Sequence, residues 1–265
     1  MFDRLESKMD RGWLKSQPPP FSQVREETGG AMKKTDLEGI KSVARAFLYV
    51  DIAETRVGVV ATHPFTNSWV VWLQGHELID LHDEEKAAEW RKQIGQMIDE
   101  ADLVGLFLLL NPAYILNFLK FTARYMSNED LGRVLGGFWN RIEQISLDKS
   151  VTGRNIISWY KRADRKTLMD DEDRAFFNSL PDEVTVYRGV TSHNRRKTKA
   201  FSWSVDKQVA EWFAKRFATG TGEVWTLTVP KERILCYYGG TEKEVIVNLY
   251  GYEKPIEVTK VASSR

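Results

Sequence analysis

Hydrophobic positions change their period along this chain. Trp90, Ile94, Met97, Ile98 and Ala101 recur at three- and four-residue steps, which predicts one face of a helix. Leu131, Val134, Leu135, Phe138, Ile142 and Ile145 predict a second helix, opened by Ser127 with Asp130 three residues on in a capping-box pattern. Gly136-Gly137 either interrupts that stripe or marks close packing. Residues 154–180 predict one or two shorter helices, ended by Pro181. Residues 45–81 read as strands instead. Val57, Val59 and Ala61 alternate with other residues, Ser68 to Leu73 is rich in β-branched and aromatic types, and His63-Pro64 and Gln74-Gly75 supply turns. The apolar run from Leu103 to Leu110 is too short to span a bilayer, is ended by Asn111-Pro112, and reads as a buried segment.

The last third consists of short β-type runs: Val184 to Tyr187, Ala200 to Ser202, Val224 to Val229, Ile234 to Tyr238, Val245 to Tyr250 and Ile256 to Val261. One helix interrupts them, with Ser204 as its N-cap and Val205, Val209, Trp212, Phe213 and Phe217 as its apolar face. The pattern predicts an α+β protein in which N-terminal strands and helices precede a mostly antiparallel β core. Three regions follow: a flexible arm over 1–36, an N-terminal α+β region over 37–150, and the β core over 151–265. The arm carries Pro18-Pro19-Pro20 and Gly29-Gly30. Its Phe2, Leu5, Met9 and Trp13 would give a short helix one apolar face, for docking on its own domain or on a partner.

Composition narrows the function classes. In 265 residues the hydrophobic fraction is 42% and the charged fraction 28%, ordinary for a packed globular chain. The net charge of +1 supplies no global field towards nucleic acid or a membrane. The single cysteine, Cys236, forms no internal disulfide and reads as a buried, inert thiol in a reducing compartment. Asp3, Glu6 and Asp10 near the start do not fit a secretory signal, so a cytoplasmic location is expected. His63, His76, His82 and His193 lack metal-ligand spacing, and no Walker loop or Gly-x-Gly-x-x-Gly fingerprint occurs.

Three features in the last third carry candidate chemistry. Val186-Tyr187-Arg188-Gly189 places an arginine at a strand end. Phe201-Ser202-Trp203-Ser204 places a serine pair where a strand gives way to a helix. Thr241-Glu242-Lys243-Glu244-Val245 places two glutamates where a turn enters an apolar strand. Singly, each reads as a surface ion-pair residue, an N-cap or a solvent-facing pair. Jointly and in this order, they resemble the Arg-Ser-Glu class of mono-ADP-ribosyltransferases, which includes many bacterial toxins. That family has an arginine on its first core strand, a Ser-x-Ser motif on the second, then a helix, and Glu-x-Glu at the start of a later strand. The resemblance covers about residues 180–260. It departs at Trp203, where the family usually has threonine; the side chain should point away from the serines, into the core or over a neighbouring surface.

The resemblance implies NAD as substrate, Glu244 as catalytic glutamate, Ser202 as the serine that holds it, and Glu242 near the acceptor. It implies contacts to NAD from Arg188, Gly189, Ser202 and Ser204, with Phe213 or Tyr237 at the nicotinamide. These residue types suit the chemistry. Arginine's planar fork fits phosphate oxygens. A carboxylate hydrogen-bonded to the ribose 2′-hydroxyl stabilises the oxocarbenium character that develops as the glycosidic bond breaks. A glutamate at position 242 implies a protein arginine as first-choice acceptor, with an RNA or DNA base as the alternative. The basic run from His193 to Lys199 would serve the latter, or simply face water. The resemblance further implies an intracellular toxin in phage defence or toxin–antitoxin control, with an inhibitor protein as partner and no membrane role. The competing readings are an NAD glycohydrolase and a non-catalytic RNA- or protein-binding module on the same fold.

Overall fold

The computed structural model describes residues 34–73, 77–142, 151–192, 194–195, 200–216 and 221–262; the Phe2–Trp13 stripe lies outside them. The chain divides into two compact units. One spans Met1–Ser127 with Asn140–Gln144, the other Asn128–Trp139 with Ile145–Arg265. The division differs from the sequence boundary at 150, because the helix after Ser127 groups with the C-terminal part.

The first unit opens with helix α1 (Leu37–Leu48), where the sequence pattern had suggested strands from residue 45. The Asp36 carboxylate accepts from the Gly39 amide at 2.9 Å, and Ile40, Val43, Ala44 and Phe47 form its buried stripe. Five short strands follow. β1 (Ala53–Glu54), β2 (Val60–His63) and β3 (Thr66–Ser68) form one small antiparallel sheet. β4 (Val70–Leu73) and β5 (Glu77–Asp80) form a separate antiparallel pair. Helix α2 (Glu84–Glu100) is capped by Asp83 and buries Ala87, Trp90 and Ile98, while Met97 of the expected stripe is exposed. In α3 (Leu103–Leu109), Leu106 and Phe107 are buried but Leu108 is 60% exposed, so the apolar run is half-buried rather than enclosed. Phe107 and Phe47 both meet Phe118 of α4 (Ile115–Thr122) edge-on, at 5.3 and 5.5 Å. No single helix among the described residues is long and apolar enough to cross a membrane.

The second unit is α+β. Helix α5 (Asn128–Phe138) buries Leu131, Val134, Leu135 and Phe138 and ends in a 3₁₀ turn at Trp139–Arg141. The glycine pair inside it splits in role. A Cβ on Gly136 would lie 2.6 Å from the Leu168 carbonyl oxygen, whereas one on Gly137 would meet nothing within 4 Å. The stretch read as one or two helices forms three: α6 (Gly153–Arg162), α7 (Arg165–Leu168) and α8 (Asp171–Ser179), because Asp164 and Asp170 each cap a new start.

Six antiparallel strands complete the unit: β6 (Glu183–Val190), β7 (Ser202–Ser204), β8 (Thr221–Pro230), β9 (Ile234–Tyr238), β10 (Glu244–Val247) and β11 (Glu257–Ala262). Their order across the sheet is β11-β8-β6-β7-β10-β9. Helix α9 (Lys207–Arg216) lies between β7 and β8 in sequence. Of the bulky set read from the sequence, Val209 and Phe213 are half-buried, Trp212 is 53% exposed, and Phe217 lies outside the described residues; the fully buried positions are Ala210 and Ala214. Two glycines explain why. A Cβ on Gly189 of β6 would stand 2.4 Å from the Ala210 carbonyl oxygen, and one on Gly222 of β8 would stand 2.0 Å from that of Ala214. The helix backbone thus rests directly on the sheet, and only small side chains fit beneath it. Gly189→Ala must push the helix off β6. We expect a loss of about 1–3 kcal/mol, read as a lower urea midpoint, with no loss for Gly137→Ala.

Candidate active site

The centre of the six-stranded sheet is poorly zipped. β6 pairs with β8 over its whole length, from Glu183↔Pro230 to Val190↔Glu223. Against β7 it pairs at Tyr187↔Ser204 alone. Beyond that point, where Arg188 and Gly189 would face Trp203 and Ser202, the ladder stops. The Arg188 guanidinium donates instead to the Ser202 carbonyl. A side chain thus bridges a gap that backbone pairing would otherwise close.

β10 lies on the other side of β7 in tight register, with Glu244 opposite Ser204 and Ile246 opposite Ser202. Glu244 is only 6% exposed. Its Oε1 accepts from the Trp139 indole Nε1 at 3.2 Å, and the Ser202 hydroxyl is near enough to favour its charged form. Burial raises its pKa above the ordinary carboxylate value. The hydrogen bonds from Ser202 and Trp139 oppose the rise, Glu242 adds to it, and Arg188 opposes it. Arg188 is perturbed in the complementary sense: burial pushes its guanidinium down to about 10, with the Glu244 charge holding it up. Its Nε is buried without a hydrogen-bond partner, so one donor of the fork remains unspent at the gap.

The turn before Glu244 is pinned at several points. Lys243 N–H donates to the Gly239 carbonyl at 2.8 Å, Gly239 N–H donates to Asp173 Oδ1 at 2.9 Å, and the Ser204 hydroxyl donates to the Glu242 carbonyl at 2.8 Å. Gly240 and Lys243 both take positive φ, of 40° and 45°. Lys243 is the strained member, since a side chain there crowds its own backbone; its ammonium meets Asp206 at 2.7 Å. The kink has a chemical result. Glu242 and Glu244, two apart, would share a face in a regular strand, but Glu242 lies in the exposed turn and Glu244 is buried at the strand's first residue.

No known protein family, characterised protein or solved structure matches this chain. The site therefore rests on its own geometry. Arg188, Ser202 and Glu244 converge, and Glu242 stands beside them in the turn. Ser204 serves the turn: its hydroxyl holds Glu242's carbonyl and accepts from the Asp206 amide at 3.0 Å. It is not the cap of α9, because the Asp206 carboxylate accepts from the Gln208 amide instead. Gly189 is occupied by the approach of α9, as described, and Phe213 of that helix lies over it, edge-on to Trp212 at 4.9 Å. Tyr237 pairs with Val245, so it points to the face away from Glu244, where it stacks on Phe176 at 4.2 Å. Cys236 is fully buried, and burial pushes its thiol up to about 12. Among the described residues no group of three or more His, Cys, Asp or Glu is placed to hold a metal ion. Of the basic run from His193 to Lys199, Asn194 and Arg195 are described; the Arg195 guanidinium pairs with Glu223, whose Oε2 also accepts from the Trp225 indole at 3.1 Å.

Three residues at the site escaped the sequence reading. Trp139 is 105 positions from Glu244, and nothing in the helical stripe before it signals the pairing. Tyr238, opposite Glu244 on β9, shares a hydrogen bond with Tyr160 of α6 between hydroxyls 3.1 Å apart. Asp173 holds the turn from α8.

Proposed function

We propose that this chain is a mono-ADP-ribosyltransferase that cleaves NAD and passes ADP-ribose to a macromolecular acceptor. The observation that carries the reading is the convergence of Arg188, Ser202 and Glu244, from three different strands, at the unpaired centre of the sheet. The strand-by-strand order of these residues is also that of the Arg-Ser-Glu family.

In this reading Arg188 binds the NAD pyrophosphate or the adjoining ribose, using donors beyond the one given to Ser202. Glu244, ionised, hydrogen-bonds the ribose 2′-hydroxyl of the nicotinamide nucleoside. As the bond from C1′ to the ring nitrogen breaks, the electron pair leaves with nicotinamide, which departs neutral. The Glu244 charge stabilises the oxocarbenium-like sugar. The acceptor nucleophile then bonds to C1′, and exposed Glu242 receives or orients the proton it loses. A protein arginine is the first acceptor to try. Acting inside a cell, such an enzyme would be a toxin, in phage defence or under the control of an antitoxin.

The test incubates purified protein with NAD labelled in the ADP-ribose part and a whole-cell extract, separated afterwards into protein and nucleic-acid fractions. Label in one fraction, absent with Glu244→Gln, supports transfer and names the acceptor class. NAD consumed with free ADP-ribose and no labelled macromolecule would replace transfer by hydrolysis. NAD left intact would overturn the enzyme reading in favour of a binding module.

A further inference from the structure

Glu244 is a buried carboxylate with no cation in hydrogen-bonding contact among the described residues, so its neighbours decide its proton and its aim. One of them comes from far along the chain. The Trp139 indole N–H donates to Oε1 at 3.2 Å. Trp139 itself is buried, and its ring stands edge-on to Tyr160 at 5.1 Å and 84°. The Tyr160 and Tyr238 hydroxyls lie 3.1 Å apart, and the Tyr238 hydroxyl donates to the Leu135 carbonyl at 3.3 Å, one turn before Trp139 on the same helix. The indole is therefore held from two sides: by its own helix, and by an aromatic contact tied back to that helix.

We propose that Trp139 is a positioning residue for the reaction assigned above: its indole N–H fixes the ionised Glu244 carboxylate on one oxygen and leaves the remaining acceptor positions aimed at the ribose 2′-hydroxyl. The inference rests on the transferase reading. The residue type matters. A Ser or Tyr hydroxyl can donate or accept and so can serve either the acid or the anion. An indole N–H only donates, so at Oε1 it favours the acceptor-only anion. The Trp139 donor, with the Ser202 hydroxyl nearby also favouring the anion, restricts the carboxyl group's freedom to rotate. This keeps a buried anion poised without a full ion pair, whose attraction would blunt its charge towards the sugar.

Trp139→Phe keeps an aromatic ring against Tyr160 and deletes the donor. The expected result is a kcat for NAD cleavage about 10-fold lower, a KM for NAD within about twofold, and an acid limb of the pH–rate profile moved about one unit higher. A packing role alone would lower the melting temperature and leave the acid limb in place, and that outcome overturns the proposal. A second measurement needs neither turnover nor Trp139→Phe. The ¹⁵N-indole NMR signals of the unmodified protein are followed through a pH titration, with Glu244→Gln alongside. One indole signal should move with an apparent pKa above the usual carboxylate range and stay still in the variant. If no indole signal does so, the contact does not exist in solution and the proposal falls. An unmodified protein that shows the titrating indole but never consumes NAD would remove the reaction, and the catalytic role with it, while leaving the Trp139–Glu244 contact standing. The two failures are therefore distinguishable.

Discussion

Glu244→Gln should lower NAD cleavage by about 10²–10³-fold while leaving the protein at least as stable as before. The substitution preserves shape, and the new amide oxygen can still accept from the Trp139 indole, so the strand register around position 244 need not change. What disappears is the negative charge that would oppose the developing positive charge on the ribose. The stability half of the expectation follows from the direction of the pKa shift. Burial raises the folded-state value of Glu244 above that of the unfolded chain. Folding is therefore favoured while the group is protonated, and that advantage is lost as the pH rises through the folded value. A glutamine never ionises and keeps it, so above that pH the variant should unfold at equal or higher denaturant concentration. A carboxylate kept at a cost in stability is a common mark of a site selected for chemistry. Rates and urea midpoints of the two proteins across pH 5–8 test both halves. A variant that cleaves NAD normally, or that loses activity only because it unfolds, would remove Glu244 from the centre of the mechanism.

How much of this was legible in the sequence depends on the range of the interaction. Local patterns read well. The order of the β-type runs after residue 183 and the helix between the second and third of them follow from turn residues and alternation, whereas Arg188, Ser202 and Glu244 stand out only jointly, through the resemblance to the Arg-Ser-Glu family. Failures arose where tertiary contacts chose among local options. The face of α9 was read from its large side chains, but Gly189 and Gly222 bring the sheet so close that Ala210 and Ala214 take the buried side and Trp212 is left in solvent. The last turn of helix α1 falls in the stretch read as strand from residue 45, although Ile40, Val43, Ala44 and Phe47 show the helical period. Tyr237 was offered to the ligand side, but pairing with Val245 turns it away and gives the place beside Glu244 to Tyr238. A one-residue error in register swaps every side chain to the other face, so no inspection of an isolated five-residue strand could have settled it. Trp139 was beyond reach altogether. Its role depends on a meeting of two segments 105 residues apart, and loop closure over that distance leaves no trace in local periodicity.

Trp203→Ala should be the most destabilising single change in the second unit, by about 3–5 kcal/mol. The side chain is 2% exposed, sits in the middle of a three-residue strand opposite fully buried Val245, and donates its indole N–H to the Ala200 carbonyl at 2.9 Å. Truncation would open a cavity the size of an indole and strip a carbonyl of its donor. β7 is poorly placed to absorb the loss, since on one side it pairs with β6 at a single position. The burial of Trp203 is therefore what seats the strand, and the alternation of the strand then delivers Ser202 and Ser204 to the opposite face. Activity should fall with stability even though neither serine is touched, because Ser202 would no longer meet Glu244 and Ser204 would no longer hold the turn at Glu242. Trp203→Phe, which retains most of the volume but not the indole donor, should cost roughly 1–2 kcal/mol and keep most of the activity. Urea unfolding of the three proteins gives the energies. Amide hydrogen exchange localises them, with protection lost first across Ser202–Ser204 and Glu244–Val247. An alanine variant within about 1 kcal/mol of the original would mean that β7 is seated by its backbone pairing with β10 alone, and that tryptophan stands in the middle of the serine motif for some reason other than packing.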